Sequence, residues 1–257
     1  MIDPYENVLK HLLEVQTEEG YWESGGQSDN PPEISTGWAV LALEAREEFM
    51  AYDGPGKDPR REVGPGLRRI MEPNDKPLPK SREGALAWLK STEPGKPDDL
   101  NERLVLRVLV EHKFGEPADA KRRLKELLKR QNGDGGWSAM PKLGRNRDAF
   151  ATGHSLYALN LTGLREEVEA LERSRKFLLE AQQPDGSWHV STLSFHPLTG
   201  ESEHGEATEQ VYTYWGTAWA TLGLLNTLPV SSEGDDHGKT HPKAEGRPSA
   251  GVAPGSS

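Results

Sequence analysis

Apolar residues recur at helical spacing along most of the chain, in segments of two alternating kinds. Segments of the first kind carry an apolar stripe and a charged face, which is typical of a helix on the outside of a fold. They span residues 5–15, 81–95, 124–128 and 164–181. Segments of the second kind are more apolar all round, as buried helices are, and they span residues 35–45, 98–112, 151–161 and 216–225. The pattern predicts an all-α chain of four hairpins, each made of an outer helix followed by an inner helix.

Three other stretches interrupt or follow this pattern. Residues 51–80 are dense in Pro, Gly and charge, and we predict that they form an insertion between the first two hairpins. Residues 189–207 lengthen the last turn, and residues 231–257 contain almost nothing to bury. We therefore predict one repeat domain at residues 1–230 and a disordered tail at residues 231–257.

A short motif, QxxxGxW, follows three of the four predicted outer helices. Its copies are Gln16, Gly20 and Trp22, then Gln131, Gly135 and Trp137, then Gln182, Gly186 and Trp188. We expect each Gln to end a helix and bond to backbone groups of the neighbouring repeat. The Gly suits a left-handed turn, and the Trp can return a large ring to the preceding helix. We therefore interpret all nine residues as structural.

The inner segments also align with one another. The stretches "STGWAVLALEA", "ATGHSLYALNL" and "GTAWATLGLL" place Trp38, His154 and Trp219 at equivalent positions. A degenerate unit lies between the first two motif copies, and it lacks both the Gln and the Trp. Self-similarity of this kind is the signature of a repeat architecture.

The QxxxGxW motif followed by an Ala/Gly-rich inner helix resembles the QW repeat of squalene and hopene cyclases, and more broadly the prenyltransferase and squalene oxidase repeat. The resemblance extends over roughly residues 5–228. It implies an α/α toroid, in which inner helices surround a central cavity. Members of that superfamily usually close the ring with about six hairpins. Four hairpins here imply an incomplete ring, a ring completed by a second chain in a homodimer, or a fragment of a longer ancestral protein.

The resemblance also raises the question of a catalytic acid. The resembled cyclases protonate an alkene with a DxDD motif at the start of an inner helix, and the corresponding place here is "DLNE" at residues 99–102. Asn101 replaces the central Asp and cannot deliver a proton. Asp99 and Glu102 stay as candidate acids, with Asp148 before the third inner helix as the first choice outside this group. The alternative is that Asp99 and Glu102 form a capping box.

Metal-dependent chemistry is a weaker alternative. "DDLNE" also fits DDxxE, which would place Asp98 and Glu102 on one helix face for magnesium. No second metal motif follows, the eight histidines show no HExxH spacing, and the chain has no cysteine for a zinc prenyltransferase site. We therefore predict no metal and no cofactor.

Aromatic side chains on or just before the inner helices could bind a polyprenyl chain and stabilise a carbocation. With His154, which aligns with two tryptophans, the candidate substrate-binding residues are Trp38, His154, Tyr157, Tyr212, Tyr214, Trp215 and Trp219. The alternative is that these rings fill the space between two helical layers.

The composition of the chain disfavours some classes of binding partner and some cellular locations. A net charge of -10 disfavours a nucleic-acid backbone. No apolar run approaches the roughly 20 residues that span a bilayer, and the first residues lack the pattern of a signal peptide. The absence of cysteine is compatible with a reducing compartment. We expect a cytoplasmic protein, at most peripheral to a membrane, with an apolar small molecule such as a polyprenyl chain as its partner.

Two functions are compatible with these observations. The first is a terpene cyclase-like isomerase that acts on squalene or another polyprenyl chain, with Asp148, Asp99 or Glu102 as the acid. The second is a non-catalytic repeat scaffold that binds a lipid, peptide or partner protein through its concave face or through residues 51–80.

Overall fold

The computed structural model describes residues 4–24, 31–51, 77–92, 100–141, 148–162, 168–191 and 206–228. Within these residues the chain is all-helical and contains no β-strand. The eight helices are α1 (Pro4–Glu14), α2 (Pro32–Ala51), α3 (Pro77–Ser91), α4 (Asn101–Phe114), α5 (Pro117–Lys129), α6 (Ala149–Leu161), α7 (Val168–Ala181) and α8 (Glu206–Leu225). The all-α fold class is confirmed.

The helices alternate between an outer and an inner layer. In α4 every residue from 104 to 110 is buried, whereas α5 buries only Ala120, Leu124 and Leu127. The inner helices pack in sequence, α2 on α4, α4 on α6 and α6 on α8, and α1 packs on α3. Apolar segments therefore lie inside and amphipathic segments outside, which confirms the predicted order of the hairpins.

Two predicted boundaries shift in the structure. Helix α2 runs to Ala51 and α3 begins at Pro77, so helices occupy both ends of the predicted insertion at residues 51–80. Proline is tolerated at the start of a helix because its missing N–H would have had no helical partner there. Residues 52–76 and the predicted tail at residues 231–257 lie outside the described residues.

The predicted capping box of α4 does not form in the expected register. The N-cap residue is Leu100, with no side-chain cap hydrogen bond, so the interpretation of Asp99 as the N-cap was wrong. The backbone N–H of Asn101 instead donates to the carbonyl of Ala139 at 2.8 Å. The loop that follows the second motif thus satisfies an N–H that a cap would otherwise have to satisfy.

The glycine of each motif takes a left-handed conformation. Gly20, Gly135 and Gly186 have φ angles of 97°, 94° and 87°. Each donates its N–H three residues back, for example from Gly135 to the carbonyl of Asn132 at 2.9 Å. Only glycine adopts this backbone without strain, which confirms the expected turn.

The tryptophan of each motif joins an outer helix to the following inner helix. The Nε1 of Trp22, Trp137 and Trp188 donates to the carbonyls of Leu12, Leu127 and Leu178 at 2.8, 2.9 and 2.7 Å. The backbone N–H groups of the same residues donate to the Oγ1 atoms of Thr36, Thr152 and Thr217, each at 3.0 Å. The three rings are buried, so each motif clamps the two layers together.

The glutamine of each motif reaches the next outer helix where one follows. Gln16 Nε2 donates to the Ser81 carbonyl of α3 at 2.9 Å, and Gln131 Nε2 donates to the Ala170 carbonyl of α7 at 2.9 Å. Gln182 Nε2 donates to the carbonyl of Gly186 in its own turn at 3.0 Å. The predicted link between neighbouring repeats is confirmed at the first two motifs.

The degenerate second unit is held by a buried arginine. Arg107 of α4 donates to the carbonyls of Leu89 and Thr92 at the end of α3, and to the Thr92 hydroxyl at 2.8 Å. Burial lowers the pKa of its guanidinium. Arg107 thereby supplies the tie between outer and inner helix that Trp22, Trp137 and Trp188 supply elsewhere.

Candidate functional site

Equivalent residues of three inner helices meet at one place. The rings of Trp38 from α2, His154 from α6 and Trp219 from α8 contact one another pairwise. Their centroids lie 5.5 Å apart for Trp38 and His154, 5.4 Å for Trp38 and Trp219, and 3.8 Å for His154 and Trp219. The inner helices of the first, third and fourth units therefore converge on a common centre.

Two glycines allow the closest of these contacts. A Cβ built at Gly153 would lie 2.5 Å from the backbone nitrogen of Ala220, and one built at Gly223 would lie 2.7 Å from the Gly153 carbonyl oxygen. Such distances leave no room for a side chain, so α6 and α8 approach backbone to backbone. Because Gly153 and Ala220 are the chain neighbours of His154 and Trp219, this approach presses the two rings together.

Phe150 and Tyr157 extend the group. Phe150 meets His154 edge-on with centroids 4.4 Å apart, and Tyr157 meets Trp219 edge-on at 5.7 Å. We call Trp38, Phe150, His154, Tyr157 and Trp219 the inner aromatic cluster. Phe150 and His154 are buried, whereas Trp38, Tyr157 and Trp219 are partly exposed. The cluster therefore has one buried side and one accessible edge.

His154 behaves as an aromatic ring and not as a base. It is 1% exposed, and neither ring nitrogen has a hydrogen-bond partner within the described structure. Burial lowers its pKa to about 3, so the imidazole is neutral near pH 7. A neutral imidazole among aromatic rings can contribute a π face but cannot carry charge there.

Glu102 lies at the edge of the inner aromatic cluster. Its Oε1 accepts a hydrogen bond from Nε1 of Trp38 at 2.9 Å. Burial raises the pKa of this carboxyl, and the bond from Trp38 offsets only part of that effect. Of the three candidate acids, Glu102 is the one for which the structure records a contact with a predicted substrate-binding residue.

Asp148 lies in a different setting, as the N-cap of α6. Its Oδ1 accepts from the Ala151 N–H at 2.7 Å and its Oδ2 accepts from the Ala139 N–H at 3.1 Å. Burial raises its pKa to about 6, against the lowering effect of these backbone bonds. The carboxylate oxygens are thus occupied by backbone donors. A catalytic role for Asp148 stays a prediction.

Asn101, in the place of the resembled family's central Asp, is fully buried. Its Nδ2 donates to the Ser155 hydroxyl at 2.9 Å, beside His154 in the sequence. Asp98 and Asp99 lie outside the described residues, so the metal-binding role of Asp98 and the catalytic role of Asp99 stay predictions. No group of three or more potential metal ligands occurs within the described part of the chain.

The remaining predicted aromatic residues lie elsewhere on α8. Tyr212 is buried in an apolar core with Phe150, and its ring meets that of Trp215 at 5.6 Å. Tyr214 is 72% exposed and lines a separate cleft of about 430 Å³ with His189 and Glu209. Within the described contacts, the structure therefore brings four of the seven predicted residues together.

One member of the cluster was not predicted from the sequence. Phe150 precedes His154 by four residues, which places both on one face of α6. This spacing was a usable signal. The glycine contact between α6 and α8 had no such signal, because it joins residues far apart in the chain.

The helical hairpins, the QxxxGxW clamps and the converging inner helices define a repeat protein with the architecture of the α/α toroid. The family model of the squalene-hopene cyclase C-terminal domain matches residues 93–248, more than half of the chain, and the chain belongs to this family. No curated protein matches it. No helix in the described residues is long and apolar enough to cross a membrane.

Proposed function

We propose that the chain is a terpene cyclase-like isomerase, with a polyprenyl chain as substrate and Glu102 as its acid. The observation that carries this proposal is the hydrogen bond between Glu102 and Trp38 at the edge of the inner aromatic cluster. A proton donor must still hold its proton at working pH, and the raised pKa of Glu102 favours that state. Aromatic faces beside such an acid are suited to stabilise a cation.

The reaction follows from these two features. Glu102 donates its proton to one carbon of a terminal double bond, which leaves a carbocation on the other carbon. The electron pair of a second double bond in the same substrate then forms the ring bond and moves the positive charge onward. Loss of a proton from a carbon beside the final cation to solvent forms a new double bond, and a proton from solvent returns the Glu102 carboxylate to its acid form. No atom is gained or lost overall, so the product is an isomer of the substrate.

The accessible edge of the cluster supports binding of an apolar ligand. Trp38, Tyr157 and Trp219 are partly exposed. Covering apolar surface of this kind with a hydrocarbon removes it from water, which is favourable for binding. The neutral His154 behind them adds a ring without adding charge. A polyprenyl chain lying along this edge would reach both the rings and Glu102.

The test is product formation from candidate substrates. Purified protein is incubated with squalene and a set of shorter polyprenyl compounds, with and without magnesium, and the organic extract is analysed by gas chromatography and mass spectrometry. We expect a cyclic isomer to form without magnesium. Products that require magnesium would overturn the proposal and favour a metal site that includes Asp98 and Glu102.

Matched variants identify the acid. Glu102→Gln keeps an oxygen that can accept the bond from Trp38 but has no proton to donate, so we expect product formation to be lost. Asp148→Asn should leave a large share of activity, and the exposed Glu116→Gln provides a control of the same chemistry. If Asp148→Asn abolishes turnover in a folded protein while Glu102→Gln does not, Asp148 is the acid and our assignment is wrong.

A second candidate function has an observation of its own. The rings of the inner aromatic cluster are in direct contact, with centroids 3.8 to 5.7 Å apart, and Asn101 replaces the family's central acid. These features favour a non-catalytic scaffold that kept the fold and binds an apolar ligand or a partner. The test uses folded protein and squalene. If squalene quenches the tryptophan fluorescence but no product forms under any condition, the result would support this function over the first.

A further inference from the structure

The first two QxxxGxW motifs show in detail how one repeat docks the next. A Cβ built at Gly20 would lie 2.7 Å from the Gly84 carbonyl of α3, and one at Gly135 would lie 2.5 Å from the Arg173 carbonyl carbon of α7. The glutamines of these motifs bond Ser81 and Ala170, three residues before those contacts. The two junctions therefore share one register.

Within the part of the chain that the structure describes, the third motif presents the same surface without a covering helix. Among the described residues, a Cβ at Gly186 would meet only the side chain of Gln182, at 4.0 Å. Gln182 is exposed, and within the described residues it bonds only inside its own turn. Leu179 is 57% exposed, whereas Leu128, at the same position before its glutamine, packs against the core. We call Leu179, Gln182 and Gly186 the tail face.

The first outer helix presents the opposite half of such a junction. Val8 lies eight residues before Gln16, and Ser174 lies eight residues before Gln182. Ala85 takes the same position in α3, because it follows Ser81 by four residues as Ser174 follows Ala170. Ser174 and Ala85 are completely buried in their junctions, but Val8 is 60% exposed. In this register Asn7 corresponds to Gly84 and Arg173. We call Asn7 and Val8 of α1 the head face.

We propose that the tail face of one copy docks the head face of a second copy, head to tail. The occupant follows from the chain itself, because both internal junctions take an outer helix in this register. α1 is an outer helix, and Val8 at the corresponding position is exposed. The contact would continue the repeat across two chains, with Gln182 donating to the backbone carbonyl of Pro4 in the second copy. This proposal does not depend on catalysis.

The mass of the 257-residue chain in solution provides the first test. We expect multi-angle light scattering to give a mass above the 28.4 kDa of one chain. Val8→Glu and Leu179→Glu should each return the mass to one chain, because each places a carboxylate in the apolar contact. Leu161→Glu, at a 49% exposed residue outside both faces, is the matched control and should remain associated. Circular dichroism verifies that all variants are folded.

Disulfide trapping tests the register and also detects a weak junction. The chain has no cysteine, so introduced thiols are the only ones present. We expect an equimolar mixture of Asn7→Cys and Gly186→Cys proteins to cross-link at least tenfold faster than a mixture of Leu161→Cys and Gly186→Cys. Equal rates would overturn the proposal. So would association that appears only after deletion of residues 229–257, because the tail face would then hold that segment.

Discussion

Two buried polar side chains near the candidate site have atoms without a hydrogen-bond partner among the described residues. Asn101 leaves its Oδ1 without a partner in the described structure, and His154 leaves both ring nitrogens without one. An unsatisfied buried polar group costs about 1 to 3 kcal/mol. His154 belongs to the inner aromatic cluster and Asn101 bonds Ser155 beside it, so these two costs fall where function and stability are expected to compete.

Restoring an acid at position 101 tests that competition. In Asn101→Asp, the new carboxylate would be buried beside Ser155, so burial should raise its pKa above that of the unfolded chain. We expect a loss of about 1 to 3 kcal/mol in the free energy of unfolding at neutral pH. At about pH 4 the protonated acid can donate to Ser155 as Asn101 does, and most of the loss should disappear.

Urea unfolding of Asn101→Asp at the two pH values measures this effect. Asn101→Ala serves as the comparison, since it removes the hydrogen bond but adds no titratable group, and its cost should be similar at both pH values. An Asn101→Asp protein that is equally stable at both would show that the new carboxylate is solvated or paired, contrary to our expectation.

Each of the first two QxxxGxW motifs acts as one structural element with three separate ties. The Trp connects outer and inner helices of its own unit, the Gln connects successive units, and the Gly permits the close approach that both need. The return of the Trp ring to the preceding helix, the Gln link between repeats and the tight Gly turn were predicted because the motif recurs at fixed spacing. The bond from the Trp N–H to the following inner helix was not predicted. The third copy differs only in its surroundings, which provides a natural comparison.

The glycines of the second and third motifs separate backbone strain from packing. Gly135→Ala and Gly186→Ala both place alanine at a positive φ, which costs roughly 1 to 2 kcal/mol. Only Gly135→Ala also forces a methyl group into the Arg173 backbone. We therefore expect Gly135→Ala to lower the free energy of unfolding by at least ~1 kcal/mol more than Gly186→Ala does.

Thermal and urea unfolding of dilute protein provide the comparison, because dilution removes any contribution from association. Equal losses for the two variants would mean that α7 can move away from Gly135 at no cost. In that case the docked helix could shift within the junction more easily than the distances suggest.

Sequence periodicity predicted the helices because burial of an apolar face is a local property of each segment. Residues that act across units were harder to predict. The equivalence of Trp38, His154 and Trp219 was visible in the alignment of the inner segments, but their mutual contact depends on how far the repeats turn. The N-cap of α4 was misplaced by one residue because a long-range bond from Asn101 to Ala139 replaces the local cap.

At the scale of the whole molecule, burial shifts the pKa values of Asp148 and His154 in opposite directions. Burial raises the pKa of Asp148 from 3.8 to about 6, so between these values the folded state holds a proton that the unfolded state has lost. Burial lowers the pKa of His154 from 6.5 to about 3, so over that range the unfolded state holds the extra proton. As the pH rises from about 4 to 6, Asp148 therefore decreases stability and His154 increases it.

Removing either group should expose the other in the pH dependence of stability. One unbalanced proton changes the free energy of unfolding by about 1.4 kcal/mol per pH unit. Relative to the wild type, His154→Phe should become less stable by about this amount for each unit between about pH 4 and 6, because the opposing contribution of His154 is removed. Asp148→Asn keeps an oxygen for the helix cap, and its stability relative to the wild type should change with pH in the opposite direction. The stability of the double variant should follow the same pH dependence as that of the wild type.

Urea unfolding across this pH range measures the stability of all four proteins. A His154→Phe protein that parallels the wild type would show that His154 is protonated in the fold, and it could not then be the neutral ring of the inner aromatic cluster.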